Sequence, residues 1–312
     1  MQSNKHIVLP GGSGFLGRSL TDRLTARGDR VTILTRGRSA PGQRCEFVHW
    51  DGRSPGAWAT AIEGADAIVH LSGKRVDCRP TRRNLDELIA SRVDTVRAVG
   101  NALETCDAPP PVWVQLSSLA IFGDGRDAVI DEATPPSGRG PAQMVQVCLA
   151  WEAAFAGATA GIPRTVLLRA GIGIGGSGDP ATDRLAWLVR RGLGGRAGNG
   201  RQWVSWVALD DFLEAMVRAI DDGSMAGLYH VTSPNPITNA EMMATYRELL
   251  GRRVGVPAPA ALTYLGAILL GSDPALALTG RRCVPARLLE EGFEFSIPTF
   301  PEAVAKALAA TG

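Results

Sequence analysis

Short apolar runs that end at glycine or a polar cluster, each followed by apolar residues at helical spacing, recur along most of the chain. His6 to Pro10 (HIVLP) stops at a glycine cluster, and Phe15, Leu16, Leu20 and Leu24 then share one helical face, which predicts strand, glycine turn, helix. Further strands are predicted at Arg30 to Thr35, Cys45 to His49, Ala67 to Leu71, Val112 to Leu116 and Thr165 to Arg169, with a long amphipathic helix over Leu85 to Leu103. Strands separated by helices imply parallel βαβ units and hence a doubly wound α/β sheet covered on both faces.

After Ala170 the pattern changes. Glycine-rich passages, Gly171 to Gly178 and Gly192 to Gly200, flank a helix near Arg184 to Arg191, and a further helix (ALDDFLEAMVRAI) and strand (LYHVTS) follow Val207. The expected organisation is a parallel Rossmann domain over residues 1–170, with 205–232 returning to it. A smaller C-terminal substrate lobe is expected from 171–204 and 233–312. The longest apolar run, Ala258 to Leu270, is too short to span a bilayer and is expected to form a buried helix.

Composition removes several classes. With 33 Lys+Arg against 31 Asp+Glu, the net charge of +2 carries no electrostatic footprint for nucleic acid. Five scattered cysteines without a Cys-x-x-Cys pair argue against zinc ribbons and disulfide frameworks and for a reducing, cytoplasmic setting. No signal-peptide pattern is read at the N-terminus, no metal-ligand spacing occurs, and neither nucleic acid nor a membrane is expected as partner. A small-molecule substrate is expected, and a homodimer is left open.

The strongest chemical signal is Gly11-Gly12-Ser13-Gly14-Phe15-Leu16-Gly17, after the first strand and opening the first helix. Gly11 permits a tight turn, Gly14 lets backbone approach a pyrophosphate, and Gly17 lets helix and strand pack closely, so a dinucleotide phosphate would rest on the helix N-terminus. The second strand ends Thr35-Arg36-Gly37-Arg38-Ser39, with no acid before Glu46 to accept a ribose 2′-hydroxyl. Arg36 and Arg38 instead suit a 2′-phosphate, which favours NADP(H) over NAD(H).

With GGSGFLG, HLSG at 70–73 and SSLAIFG at 117–123, the chain resembles the extended short-chain dehydrogenase/reductase superfamily. Ser91-Arg92, CLAWE at 148–152, GRQWVSW at 200–206 and VPARLLEEGFEF at 284–295 make it most similar to the atypical epimerase-like branch, some members of which are labelled cell-division inhibitors. The resemblance implies that Leu71, Ser72, Gly73 and Arg92 lie against the cofactor, and that Ser118 hydrogen-bonds the reacting oxygen of a substrate. It also implies a Tyr-x-x-x-Lys pair on the next helix, but alignment from Glu152 puts Met144 and Cys148 there, which supply neither a proton nor a fixed charge. Where relatives read Ser-Trp-Ile-His, this chain has Ser205-Trp206-Val207-Ala208.

Candidate catalytic residues are therefore Ser118 and Cys148, with Asp124, Asp127 and Lys74 as further replacements. Lys74, Arg75, Ser117, Arg201, Trp203 and Trp206 are candidates for the substrate side, and Arg75 and Arg79 for anion clamps. Three readings remain open at this point. The chain is an NADP(H)-dependent oxidoreductase or epimerase-like enzyme, a redox-silent NADP(H)-binding regulatory protein, or a lyase or isomerase of a biosynthetic pathway.

Overall fold

In a computed structural model, residues 4–37, 45–136 and 142–310 are described. Thirteen strands follow in chain order: β1 His6–Pro10, β2 Arg30–Thr35, β3 Glu46–His49, β4 Ala67–His70, β5 Val112–Ser118, β6 Val129–Ile130, β7 Arg164–Ala170, β8 Ile172–Ile174, β9 Trp203–Val204, β10 Trp206–Ala208, β11 Gly227–Val231, β12 Ile237–Thr238 and β13 Arg282–Cys283. The helices are α1 Phe15–Ala26, α2 Arg82–Leu103, α3 Ala142–Ala158, α4 Pro180–Arg190, α5 Leu209–Asp221, α6 Asn239–Leu249, α7 Ala260–Leu269, α8 Ala275–Leu278, α9 Ala286–Glu290 and α10 Phe300–Ala309.

Seven strands form one sheet in the order β11-β7-β5-β4-β1-β2-β3, and every pairing in it is parallel. The chain winds outward from β1 to β3, then crosses back to β4, so β1 and β4 flank the point where strand order reverses. That point is where open α/β sheets leave a crevice at their carboxyl ends. The sheet is a Rossmann-like doubly wound α/β fold, as the alternation of apolar runs and helices implies.

Each face of the sheet has its own apolar layer. Leu20 and Leu24 of α1 with Phe212 and Met216 of α5 cover one face, and Val96 of α2 with Trp151 and Phe155 of α3 cover the other. Helices α2 and α3 meet where Gly100 leaves room, since a Cβ there would sit 2.7 Å from the Cβ of Ala158. Arg164, opening β7, locks α5 in place by donating to the carbonyls of Ala219 at 2.7 Å, Ile220 at 3.0 Å and Met225 at 3.1 Å.

Capping explains where the sequence misjudged helix starts. Thr81 accepts from the Asn84 amide, so α2 begins at Arg82 rather than Leu85. Asp179 accepts from the amides of Ala181 and Thr182 and places Pro180 at the first helical position, starting α4 earlier than its apolar residues suggest. A second apolar cluster, with Trp206, Tyr246, Phe300 and Val304, holds β10, α6 and α10 together beyond the carboxyl ends of the sheet. The tail then returns, as β13 pairs parallel with β6.

One expectation fails outright. The apolar run over Ala258 to Leu270 forms α7, but none of its residues is buried, and Leu262, Leu265 and Leu269 face outward. Apolar residues on every side of a short helix give no face to predict, and here the short helix α8 leaves Thr263, Gly266 and Ala267 only half-buried. Among the described residues no helix is long and apolar enough to cross a membrane.

Candidate functional site

The glycine turn joins β1 to α1 at the reversal point. Gly11 has φ +80, and a Cβ on it would lie 2.6 Å from the backbone of Ser72, so only glycine lets the β1 and β4 turns touch. A Cβ on Gly17 would overlap the backbone of Gly12, which fixes α1 tightly on the turn. Gly14 differs: its Cβ direction is open, with the nearest atom the Gly11 carbonyl at 3.8 Å. Gly14 caps α1 without a side-chain bond, so the amides of Phe15, Leu16 and Gly17 keep their donors for an anion. Ser13 accepts from Thr35 Oγ1 at 3.2 Å, which ties the turn to the end of β2.

The HLSG turn lies beside it. Leu71 donates its amide to the Pro10 carbonyl at 2.8 Å, and the buried Ser72 Oγ has no hydrogen-bond partner among the described residues. An orphaned hydroxyl next to free helix amides, under an open Gly14, is a cradle that fits a dinucleotide diphosphate. Gly73 is exposed beyond it and packs on Arg92, with its Cβ direction 3.0 Å from the guanidinium carbon.

Outward from the turn runs a groove of about 740 Å³ lined by Arg36, Gly52, Arg53, Lys74, Arg83 and Ser91 among others. Arg36 is exposed at the end of β2 and makes no ion pair among the described residues. Arg38 lies outside the described residues. Lys74, expected beside the substrate, belongs to this groove instead, because its Nζ is drawn to Asn84 Oδ1 at 2.8 Å and Glu87 Oε2 at 2.6 Å.

A second cavity of about 380 Å³ lies at the carboxyl ends of β5 and β7, beneath β9 and the residues around α8. Its lining includes Arg92, Ser117, Ser118, Met144, Trp203 and Arg281. Ser118 ends β5 and caps a 3-10 turn over Leu119–Phe122, its Oγ accepting from the Ala120 amide at 3.2 Å. That bond occupies a lone pair and leaves the hydroxyl proton to donate. Ser117 donates to Glu152 Oε1 at 2.6 Å, and Glu152 is clasped by Arg169 at 2.9 and 2.7 Å, a buried network that braces the end of β5 against α3 and β7. Arg92 lies over the Trp151 ring at 4.9 Å, and Trp203 donates its Nε1–H to Asp127 at 3.0 Å.

A model of the NAD dependent epimerase/dehydratase family matches residues 7–231, ending where β11 ends, and a domain of unknown function, DUF1731, matches residues 257–307. The chain belongs to the NAD dependent epimerase/dehydratase family. Human epimerase family protein SDR39U1 is 30% identical over 307 residues, which are 97% of this chain and 99% of that one. Epimerase family protein Mb2239 of Mycobacterium bovis is 31% identical, covering 99% of this chain and 100% of its own. The crystal structure of the human protein (isoform2) with NADPH superposes with a TM-score of 0.84 at 28% identity, covering 97% of this chain and 99% of that chain. UDP-glucuronic acid 4-epimerase of Bacillus cereus, at 12% identity and TM-score 0.78 over 98% of each chain, shares the fold.

Several candidate residues of this family member stand elsewhere than the sequence reading put them. Cys148 is fully buried among Leu119, Ile121, Phe122 and Cys283, where burial pushes its thiol up to about 12, so it is a core residue and not an acid or nucleophile. Trp206 is buried against Phe300 with its Nε1–H on the Asn235 carbonyl, so it packs β10 against α10 rather than facing a ligand. Arg201 and Arg75 are exposed and line neither cavity. Phe15 turns its ring toward Gly175, just beyond β8, while its amide remains at the turn. Of the tyrosines, Tyr229 bonds Glu291, Tyr246 is buried and Tyr264 sits on α7, so none lines the inner cavity.

Sequence reasoning missed Glu152 as a structural acid, Asp273 and Arg281. Glu152 stood inside the CLAWE motif and was assigned no role. Asp273 and Arg281 enter the cavity from the return of the tail, a tertiary event with no local signature.

Proposed function

We propose that the chain binds NADP(H) along the glycine turn and outer groove and acts on a small carbonyl or hydroxyl compound held in the inner cavity. The observation that carries this reading is the cradle itself: free α1 amides, an orphaned Ser72 hydroxyl and an open Gly14, with unpaired Arg36 at the end of β2. The NADPH in the crystal structure of the human relative supports the same cofactor. Gly11, Ser13, Gly14, Phe15, Leu16, Gly17, Leu71, Ser72 and Gly73 would hold its diphosphate and nicotinamide half, and Arg36 its 2′-phosphate. When bound, the nicotinamide supplies or accepts hydride.

On the protein side, Ser118 directs its hydroxyl proton to the reacting oxygen, and the Ala120 amide holds Ser118 in that orientation. Ser117 acts indirectly, through the Glu152 and Arg169 brace. Met144, on the cavity wall at the place of the family's tyrosine, donates no proton. That observation favours a second reading in which the bound nucleotide is sensed rather than turned over.

Titration of the purified, cofactor-free protein with NADPH and NADH, read by nicotinamide fluorescence, tests the proposal. NADPH affinity is expected to fall at least tenfold in Arg36→Ala while NADH affinity is unchanged. Absence of binding by either nucleotide to a folded protein would refute it.

A further inference from the structure

We infer that the inner cavity takes a small carboxylate with an apolar body, its carboxylate held by Arg281 and Arg92. This rests on the reading of that cavity as the substrate site.

Three arginines converge near the end of β5, and only one is neutralised. Arg169 has Glu152 in a two-pronged pair at 2.9 and 2.7 Å. Arg92 finds only neutral acceptors, the carbonyls of Leu88 and Lys74 at 3.1 Å each and Ser91 Oγ at 3.5 Å, and its buried Nε has no partner. Arg281 is held by its backbone alone, its amide on the Trp203 carbonyl at 3.0 Å and its carbonyl accepting from Ser205 Oγ at 2.9 Å. Its guanidinium has no ion pair or hydrogen bond among the described residues. Burial draws both guanidinium groups below their ordinary value. A fold that leaves the buried Arg92 and the half-buried Arg281 without an acid at pairing distance, beside an Arg169 that it pairs, is poised for an anion from outside.

Charge and lining narrow the anion. The lining holds one carboxylate, Asp273, whose Oδ1 accepts from the Ala275 amide at 2.9 Å. Asp124 acts on Arg281 from a distance, its Oδ1 facing the amides of Gly280 at 3.4 Å and Arg126 at 3.5 Å. Two guanidinium groups against one carboxylate leave a single positive charge, which matches a carboxylate better than a phosphate dianion or a diphosphate. Val76, Leu116, Met144, Ile172, Phe212 and Leu276 make most of the remaining wall apolar, so the hydroxyls of a nucleotide sugar would be stripped of water without replacement bonds. Ser118 shares this wall, so the anion and the reacting carbonyl or hydroxyl belong to one short molecule, an oxo or hydroxy acid.

The test uses the full chain with NADPH present and reads ligand binding by calorimetry and melting temperature. The probes are α-ketoisocaproate, its neutral counterpart methyl isobutyl ketone, inorganic phosphate and UDP-glucose. Only α-ketoisocaproate is expected to bind. In Arg281→Met its affinity falls at least tenfold, NADPH affinity stays as in the parent, and the ligand-free protein melts higher because an unpaired, half-buried cation is gone. Equal binding of the neutral ketone, or preference for phosphate or UDP-glucose, overturns the inference on the parent protein alone, whatever the fate of the variant. A lower melting temperature for ligand-free Arg281→Met would show the guanidinium to be structural and overturn it as well. Nicotinamide fluorescence separates the two readings. Carboxylate binding without NADPH binding sinks the proposed function and leaves the anion site standing, and the reverse sinks the anion site alone.

Discussion

The outer groove and the inner cavity handle charge in opposite ways. In the groove every lining cation but Arg36 meets an acid: Arg53 with Asp94, Lys74 with Glu87, Arg82 with Asp86 and Arg83 with Glu87, at 2.6 to 3.1 Å and largely in water. In the cavity Arg92 is buried and Arg281 half-buried, and neither has an acid at pairing distance among the described residues. Exposed pairs add little stability and tolerate loss, whereas unpaired buried charge raises the energy of the empty fold and rewards a ligand that neutralises it. Richness in charged residues therefore marks the less committed region.

The contrast breaks most visibly at Cys148. Cys148→Lys adds a further cation to an apolar cluster near Arg92, Arg281 and Arg169, and is expected to cost about 3 to 5 kcal/mol. Met144→Tyr, facing the cavity, is expected to fold normally. Urea denaturation of the two single variants separates them, and equal stability would refute the difference in environment.

A smaller effect follows from pH. Burial holds His70 down to about 3 and His230 down to about 4, so both are neutral in the fold above those values, while in the unfolded chain each titrates near 6.5. The unfolded state then binds more protons as pH falls below 6.5, and stability present above that value is lost toward pH 4 at about 1.4 kcal/mol per pH unit for each histidine. Asp51, Glu63 and Asp222, whose values are lowered by hydrogen bonds, add their loss only below the ordinary carboxylate range. Melting temperatures at pH 7.5, 6.5 and 5.5 check the histidine window, and a flat profile would contradict it.

The smallest effect is expected in the groove. Arg82→Ala removes an exposed partner of Asp86 and should leave the melting temperature unchanged within about 1 °C. A drop comparable to that of Cys148→Lys would erase the distinction between the two regions.

Legibility in the sequence follows the same division. The glycine turn is local, its three roles readable from spacing, and β2 begins and ends at the residues its apolar run marks. Helix α7 was misread because composition says how apolar a segment is but not whether anything covers it. Met144 and Cys148 sit one helical turn apart and both touch the Leu119 and Phe122 cluster, yet Met144 also lines the cavity while Cys148 is fully buried, a difference set by what packs on α3. Arg281 could not be singled out, since lacking a partner is a property of the folded neighbourhood and leaves no trace beside the residue.

Sheet order also governs what a growing chain exposes. Strands β1 to β5 and then β7 can pair as they emerge, but the outer edge of β7 waits for β11, whose last residue is Val231. At about 5 to 20 residues per second, synthesis from Ala170 to Val231 takes roughly 3 to 12 s. During that interval the Val166, Leu167 and Leu168 edge is an open template for any other strand, and Arg164 has no α5 carbonyls to hold. The nascent protein is thus most prone to wrong pairing after the glycine turn is complete and before the sheet is closed.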